Sequence, residues 1–201
     1  MRTVEIIGYK RANLGKSESK RLRREGHVPG VLYGGKEQVA FYTPMILFRN
    51  LIYTPEPAFV KLNIEGDEYD CILQDFQEHP VSETLLHVDF LLLRDDRKIT
   101  MDIPVKTEGK ALGSQKGGKV IMRLRKLKIK SLPKHMPEAI TVNVEPLDLG
   151  KSIKVKEVEP DNYEILNALG NPIVTVEVPR ALRGKGEEEE GEEATEEVAA
   201  E

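Results

Sequence analysis

The sequence predicts a mainly β protein with a few short helices, and three observations point to it. Apolar and polar residues alternate in many short stretches, which is the period of a strand with one buried face. Proline, glycine or aspartate separates these stretches, as expected of turns. Beyond residue 98 no helical period of useful length is present. A chain of 201 residues that is 39% hydrophobic suits two small domains better than one large one.

The first predicted elements are a strand, a short helix and a glycine-rich segment. Residues 3–10, TVEIIGYK, alternate and predict a strand. A helix is expected to follow RANLG, with Ser17 or Ser19 as its cap and Leu22 as its inward contact. Gly26 is expected to end this helix, because glycine adopts the left-handed conformation without a Cβ penalty. The next stretch, HVPGVLYGG, predicts a Pro-Gly turn, a short strand and a second glycine turn.

Four further strands and a second helix complete this part of the chain. QVAFYT predicts a strand, and TPMILFRNLIY (43–53) predicts a helix that Thr43 caps, with Pro44 at its first position. Three strands follow in AFVKLNIEG, DEYDCILQDFQEHP and ETLLHVDFLLL, and a tight Glu-Gly-Asp turn joins the first two. The first 95 residues are therefore expected to form a barrel or a strongly curved sheet of five or six strands with two helices.

The apolar pattern stops at RDDRK (94–98), which is the predicted domain boundary. The short strand-like stretches beyond it have the spacing of a β-sandwich. Within IMRLRKLKIK the apolar phase shifts by one residue, which predicts a β-bulge near Arg125 and Lys126. The predicted organisation is a barrel domain over 1–95, an all-β domain over 96–182 and a disordered Glu-rich tail over 183–201.

The net charge of -4 averages two unlike regions. Residues 186–201 contain nine Glu and no Lys or Arg. Such a segment cannot bury enough apolar surface to offset its chain entropy, so disorder is expected there. Such a tail either increases solubility or competes with RNA for the rest of the chain. Outside it, 30 basic residues stand against 25 acidic ones, and basic residues concentrate in 1–50 and 116–134. Two such clusters favour a polyanionic partner.

The residues that catalysis or metal binding needs are not found in a usable arrangement. None of the four histidines has metal-ligand spacing, and no serine lies in a G-x-S-x-G elbow. GKALGSQKGGK (109–119) lacks the spacing and the following helix of a P-loop. Cys71, the single cysteine, is expected to be a buried thiol, which fits a reducing, cytoplasmic compartment. We expect a non-catalytic protein with no cofactor, metal or small-molecule substrate, and no signal peptide or membrane span.

The strand HVDFLLL (87–93) carries two polar side chains that deserve separate consideration. On a strand, His87 and Asp89 project from one face, whereas Val88 and Phe90 project from the other. One interpretation is an edge strand whose polar face meets water. The other is a recognition pair, in which the imidazole stacks or donates and the carboxylate accepts from exocyclic amines of bases.

The run YKR, SKRLRREGHVPGVLYGG together with HVDFLLL resembles the bacterial large-subunit ribosomal protein twenty-five family, in its long two-domain form, the general stress protein CTC type. The resemblance extends over the whole chain. It implies a six-stranded amino-terminal barrel with helices that binds the loop E region of 5S rRNA, mainly through the minor groove. It also implies an all-β carboxy-terminal domain, a variable tail and a location on the cytoplasmic ribosome. The expected role is structural, with 5S rRNA and neighbouring ribosomal proteins or rRNA as partners.

The resemblance also assigns roles to individual residues. Arg11 matches a basic RNA contact, Arg23 and Arg24 match paired arginines on the first helix, and Tyr33 matches an aromatic contact. His87 and Asp89 match the polar pair of the late strand, with Gln74 as a neighbouring contact. Lys16, Lys20 and Arg21 are expected to contact phosphates. A second hypothesis is a stress-induced protein whose carboxy-terminal β domain engages a protein partner, with RNA binding secondary.

Overall fold

The amino-terminal part of the computed structural model is a closed six-stranded barrel, in the order β1-β3-β2-β6-β5-β4. The structure describes residues 1–35, 37–158, 160 and 162–179. The barrel strands are β1 (Arg2–Lys10), β2 (His27–Tyr33), β3 (Val39–Pro44), β4 (Ala58–Ile64), β5 (Asp67–Glu78) and β6 (Leu85–Leu92). The barrel closes because β1 pairs with β4 in parallel and with β3 in antiparallel orientation. The predicted mainly β fold and the six-stranded barrel are confirmed.

Alternating side chains fill the barrel interior. Ile6, Phe41 and Phe90 are fully buried, and the ring centroids of the two phenylalanines lie 5.9 Å apart. Cys71 belongs to the same core, and burial raises the pKa of its thiol to about 12. The thiol therefore stays protonated at neutral pH and packs as a small apolar side chain, as expected from the sequence.

Gly30 shows that the Pro-Gly pair does not form the predicted turn. Strand β2 runs through it, with Pro29 opposite Tyr42 and Gly30 opposite Phe41 on β3. A Cβ on Gly30 would lie 2.7 Å from Val88 Cγ2 and 2.8 Å from Phe41 Cζ. The glycine is present here because the barrel interior leaves no room for a side chain, and not because the chain reverses direction. Local sequence carries no sign of that crowding.

Both helices of the barrel begin differently from the prediction. Helix α1 spans Lys16–Arg24 with Gly15 as its N-cap, so Ser17 and Ser19 lie within the helix and neither serves as its cap. The predicted inward Leu22 is buried, and the helix is followed by Gly26 with φ of 80°.

The second predicted helix is mostly a tighter turn. Strand β3 continues through Thr43 and Pro44, and the hydroxyl of Thr43 donates to the Ile7 carbonyl of β1 instead of capping a helix. A 3-10 helix over Met45–Phe48 and a single turn of α-helix, α2 (Arg49–Ile52), follow. The predicted turn between β4 and β5 is present, with left-handed Glu65 and Gly66.

Beyond the barrel the chain forms two small sheets and one short helix. One sheet has the order β10-β7-β9-β12 and the other the order β11-β13-β8. The elements are β7 (Ile99–Glu108), α3 (Leu112–Gln115), β8 (Lys119–Met122), β9 (Lys126–Ser131), β10 (Ile140–Asn143), β11 (Ser152–Lys154), β12 (Glu164–Ile165) and β13 (Pro172–Glu177). Short 3-10 turns cover Pro133–His135 and Val155–Glu157.

The bulge predicted near Arg125 and Lys126 is instead a break between two strands. Strand β8 ends at Met122 and pairs with β13, whereas β9 begins at Lys126 and belongs to the other sheet. The shift in apolar phase marks the point where the chain leaves one sheet for the other, because each sheet buries its own face.

By internal contacts the chain divides into two compact units. Among the described residues, the first holds those of 1–104 with 128–138 and 162–165, and the second holds those of 105–127, 139–160 and 166–179. In the part of the chain that the structure describes, no helix is long and apolar enough to cross a membrane. The predicted acidic tail lies outside the described residues.

Candidate nucleic-acid interface

Strand β6 presents His87 and Asp89 on the outside of the barrel. Their neighbours Val88 and Phe90 are fully buried inside it, as strand periodicity requires. His87 Nδ1 lies 2.8 Å from Asp89 Oδ1, so the carboxylate orients the imidazole. Because β6 lies between β2 and β5 in a closed barrel, the interpretation of an edge strand is wrong.

Tyr33 lies on the adjacent strand β2, close to this polar pair. The two strands run parallel, with Val31 opposite Asp89 and Tyr33 opposite Leu91. Burial raises the pKa of the Tyr33 phenol, and the negative charges of Asp89 and Asp75 raise it further. Tyr33 therefore offers a protonated hydroxyl beside two carboxylates at neutral pH.

A β-bulge on the other neighbour, β5, adds Gln74 and Asp75 to this face. The register shifts between Leu73 and Asp75, and Asp75 then stands directly opposite Asp89. The extra residue, Gln74, has no partner in the ladder. Both side chains are exposed beside Asp89.

Asp75 is a member of this face that sequence reasoning missed. In an unbroken hairpin Gln74 would have stood opposite Asp89, and nothing in the local sequence announces the bulge. Arg97 is a further member, although the sequence RDDRK by itself indicates only a domain boundary. The positive charge of Arg97 partly offsets the effect of the carboxylates on the Tyr33 pKa, which places it within electrostatic reach of the face.

Helix α1 brings a row of basic side chains to the start of β6. Arg23 Nε donates to the Leu86 carbonyl at 2.9 Å, next to His87. Successive residues of a helix are rotated by about 100°, so with Leu22 turned inward one flank of α1 carries four basic residues. These residues, here called the basic stripe, are exposed: Lys16, Lys20, Arg23 and Arg24.

Two of the predicted contacts are engaged elsewhere. Arg21 lies on the other flank of α1 and forms ion pairs with Glu18 at 2.6 Å and Glu25 at 3.6 Å. Arg11 is half-buried and donates through Nη2 to Ser19 Oγ at 3.0 Å and to the Asn13 carbonyl at 3.3 Å. Arg11 thus ties the end of β1 to α1, and its buried Nε has no partner among the described residues.

Three of the eight basic side chains of the second cluster, 116–134, form ion pairs that are seen among the described residues. Lys116 pairs with Asp148 at 3.0 Å, and this hydrogen bond lowers the pKa of the Asp148 carboxyl. Arg123 pairs with Glu177, and Lys134 lies 3.4 Å from Asp95. The cluster therefore makes a weaker case for polyanion binding than the basic stripe does.

The outer face formed by β2, β5, β6 and α1, here called the β6 face, combines two kinds of groups. The basic stripe attracts phosphates, whereas Asp89 and Asp75 repel them and accept hydrogen bonds from base amino groups. No group of three or more His, Cys, Asp or Glu side chains in the described ranges is arranged to hold a metal ion. This combination of groups suits nucleic-acid recognition.

Comparisons with known proteins agree with this chemistry. The model of the Ribosomal L25p family matches residues 6–90, and that of the Ribosomal protein TL5, C-terminal domain, matches residues 98–180. The large ribosomal subunit protein bL25 of Amoebophilus asiaticus is 51% identical over 191 residues, covering 95% of this chain and 97% of the relative. The protein of that name from Cytophaga hutchinsonii is 50% identical, over 91% of this chain and 95% of its own. That of Porphyromonas gingivalis is 40% identical, over 92% and 97%.

Proposed function

This chain belongs to the ribosomal L25p family, and from that premise we propose that it binds the loop E region of 5S rRNA through the β6 face, as a constituent of the large ribosomal subunit. Its relatives are named as proteins of that subunit, and the family is structural and not enzymatic. Binding is then scaffolding without turnover, on the cytoplasmic ribosome. Neighbouring ribosomal proteins or rRNA complete the set of partners.

The observation that carries this proposal is the hydrogen bond from Arg23 to the Leu86 carbonyl. It holds the basic stripe beside His87 and Asp89, so one RNA segment can meet both. Phosphate contacts from the stripe supply affinity through counterion release, and the polar groups of the strands read bases. The wide, shallow minor groove of RNA admits such side chains, particularly in irregular helices.

The proposed roles follow from the geometry around each predicted residue. Asp89 accepts from a base amino group, His87 is oriented by Asp89, and Tyr33 donates from the neighbouring strand. Gln74 and Asp75 extend the base-reading surface along β5. Arg21, whose charge is paired with two glutamates, and Arg11, which is half-buried, contribute less to RNA binding than the exposed basic stripe does.

The division of the chain into a barrel domain over 1–95, an all-β domain over 96–182 and a tail over 183–201 remains a proposal. It is supported by the two family matches, the first of which ends at residue 90 and the second of which begins at residue 98.

Asp89→Ala tests the proposed base reading. We expect it to weaken binding to 5S rRNA in a gel shift by about 1 to 3 kcal/mol, because a base amino group loses its acceptor. Asp102→Ala, which removes an exposed carboxylate from β7, is the matched control and should leave the affinity unchanged. Unaltered affinity of Asp89→Ala would show that this carboxylate reads no base. A wild-type chain that fails to shift 5S rRNA would overturn the proposed function itself.

A further inference from the structure

A second surface of the barrel, on strand β1, breaks the pattern that polar residues face outward. Ile6 is fully buried, so Ile7 and Tyr9 project outward, where they are 57% and 45% exposed. The outward residues that precede them on β1, Thr3 and Glu5, are polar. An exposed pair of large apolar side chains on one strand indicates an interaction surface more often than scattered single residues do.

The apolar surface continues across two adjacent strands. Tyr9 stands opposite Tyr42 of β3, and their ring centroids lie 5.4 Å apart. Tyr42 in turn contacts the edge of His27 on β2, at 5.5 Å between centroids. We call the outward surface made by Ile7, Tyr9 and Tyr42 the tyrosine face.

The charges beside the tyrosine face are mostly negative. On the outer surface, Asn63 of β4 lies opposite Ile7, and Glu68 of β5 lies opposite Asn63. In the neighbouring row, Lys61 of β4 lies opposite Glu5, and Asp70 of β5 lies opposite Lys61. At the turn between these strands, Glu65 accepts the backbone N–H of Lys10, and Asp67 accepts from Lys10 Nζ at 3.3 Å. Hydrogen bonding to Asp67 raises the pKa of the Lys10 amine, so this cation is committed to a carboxylate. Five carboxylates therefore lie beside the face, toward β4 and β5, against three cations: Glu5, Glu65, Asp67, Glu68 and Asp70 against Lys10, Arg11 and Lys61.

From this combination we propose that the tyrosine face docks a basic protein of the large ribosomal subunit, through an apolar side chain flanked by Lys or Arg. The apolar centre supplies buried area, and the acidic rim attracts a basic partner and repels RNA phosphates. The setting in the large subunit rests on the proposed function. The face differs in character from the β6 face, whose basic stripe has no acidic neighbour on its flank of α1.

The test separates binding to free 5S rRNA from binding to large subunits that lack this protein. Ile7→Lys, in the full chain, places a cation where the partner is basic. We expect it to weaken rebinding to the depleted subunits at least tenfold, measured by pelleting, without altering the gel shift of free 5S rRNA. Val81→Lys is the matched control, because Val81 is an apolar residue that is 87% exposed and lies between β5 and β6. It should change neither measurement.

A photo-crosslinking amino acid in place of Tyr9 identifies the occupant in the rebound subunits by mass spectrometry. An adduct with a basic ribosomal protein supports the proposal. An adduct with rRNA, or normal rebinding by Ile7→Lys, overturns it. Thermal melting of each variant tests whether the barrel is intact. If the Ile7→Lys barrel is not intact, Ile7→Thr, whose side chain suits a strand, takes its place. Weaker rebinding to the depleted subunits is again expected. If the wild-type chain does not bind free 5S rRNA but the adduct with a basic ribosomal protein forms, the proposed RNA binding is contradicted. The proposed docking surface is then still supported.

Discussion

Arg21 and Arg23 show how two identical side chains on one short helix acquire different environments. The rotation of about 100° per residue places them on opposite flanks of α1 once Leu22 is buried. Arg21 is paired with two glutamates, whereas Arg23 reaches the strand that carries His87 and Asp89. Composition alone counts both as equal contributors to a positive charge. The burial of a single leucine decides which of them lies beside the strand that carries His87 and Asp89.

Arg23→Ala should therefore weaken 5S rRNA binding more than Arg21→Ala does. We expect the first variant to reduce the slope of log affinity against log salt concentration by about one, because one phosphate contact is lost. Arg21→Ala removes only an exposed, internally paired charge and should leave the slope nearly unchanged. Filter binding at several salt concentrations measures both. Equal slopes for the two variants would indicate that neither flank of α1 meets the phosphate backbone.

Strand β2 is the element in which local sequence and barrel packing disagree. A Pro-Gly pair is a strong turn signal, yet both residues pair with β3 in an unbroken antiparallel ladder. Proline differs from other strand residues in lacking a backbone N–H donor. Glycine fits at position 30 because Val88 and Phe41 leave no room there for a side chain. The same close packing keeps β2 against β6, and so keeps Tyr33 near Asp89.

Gly30→Ala should destabilise the barrel by about 1 to 3 kcal/mol. The added methyl would overlap Val88 and Phe41 side chains and lie 3.0 Å from the Val88 carbonyl oxygen, which the barrel backbone holds in place. Gly35→Ala is the control, because a Cβ there meets only ordinary contacts, the nearest at 3.4 Å from Leu92 Cδ2. Chemical denaturation of the two variants measures the free energy of unfolding. Equal stability would mean that the interior yields at Gly30.

Over the whole molecule, charge is distributed in a way that the net value conceals. The β6 face, with its basic stripe, carries the proposed RNA contacts, and the tyrosine face carries an acidic rim. The nine glutamates of residues 186–201, which lie outside the described residues, lower the net charge. We expect long-range repulsion between these carboxylates and RNA to oppose the proposed binding and to be screened by salt.

Deleting residues 186–201 should strengthen binding to 5S rRNA at low salt, by about twofold to tenfold, and the gain should shrink as salt increases. A full-length chain with the tail glutamates replaced by glutamine separates charge from length and should behave like the deletion. Affinities measured by gel shift at two salt concentrations are sufficient. A deletion that leaves low-salt affinity unchanged would assign the tail a solubilising role alone.

The sequence by itself determined most of the strands, the buried Leu22 and Cys71, the turn at Glu65 and Gly66, and the residue types of the candidate site. These features depend on local alternation, burial preference and backbone freedom, which short stretches express. Only the tertiary structure decided that the Pro-Gly pair lies in a strand, that β8 and β9 belong to different sheets, and that a bulge places Asp75 opposite Asp89. It also decided that Arg11 and Arg21 are engaged within the protein. Each of these outcomes depends on which strands become neighbours and in what register, and those pairings join residues far apart in the chain.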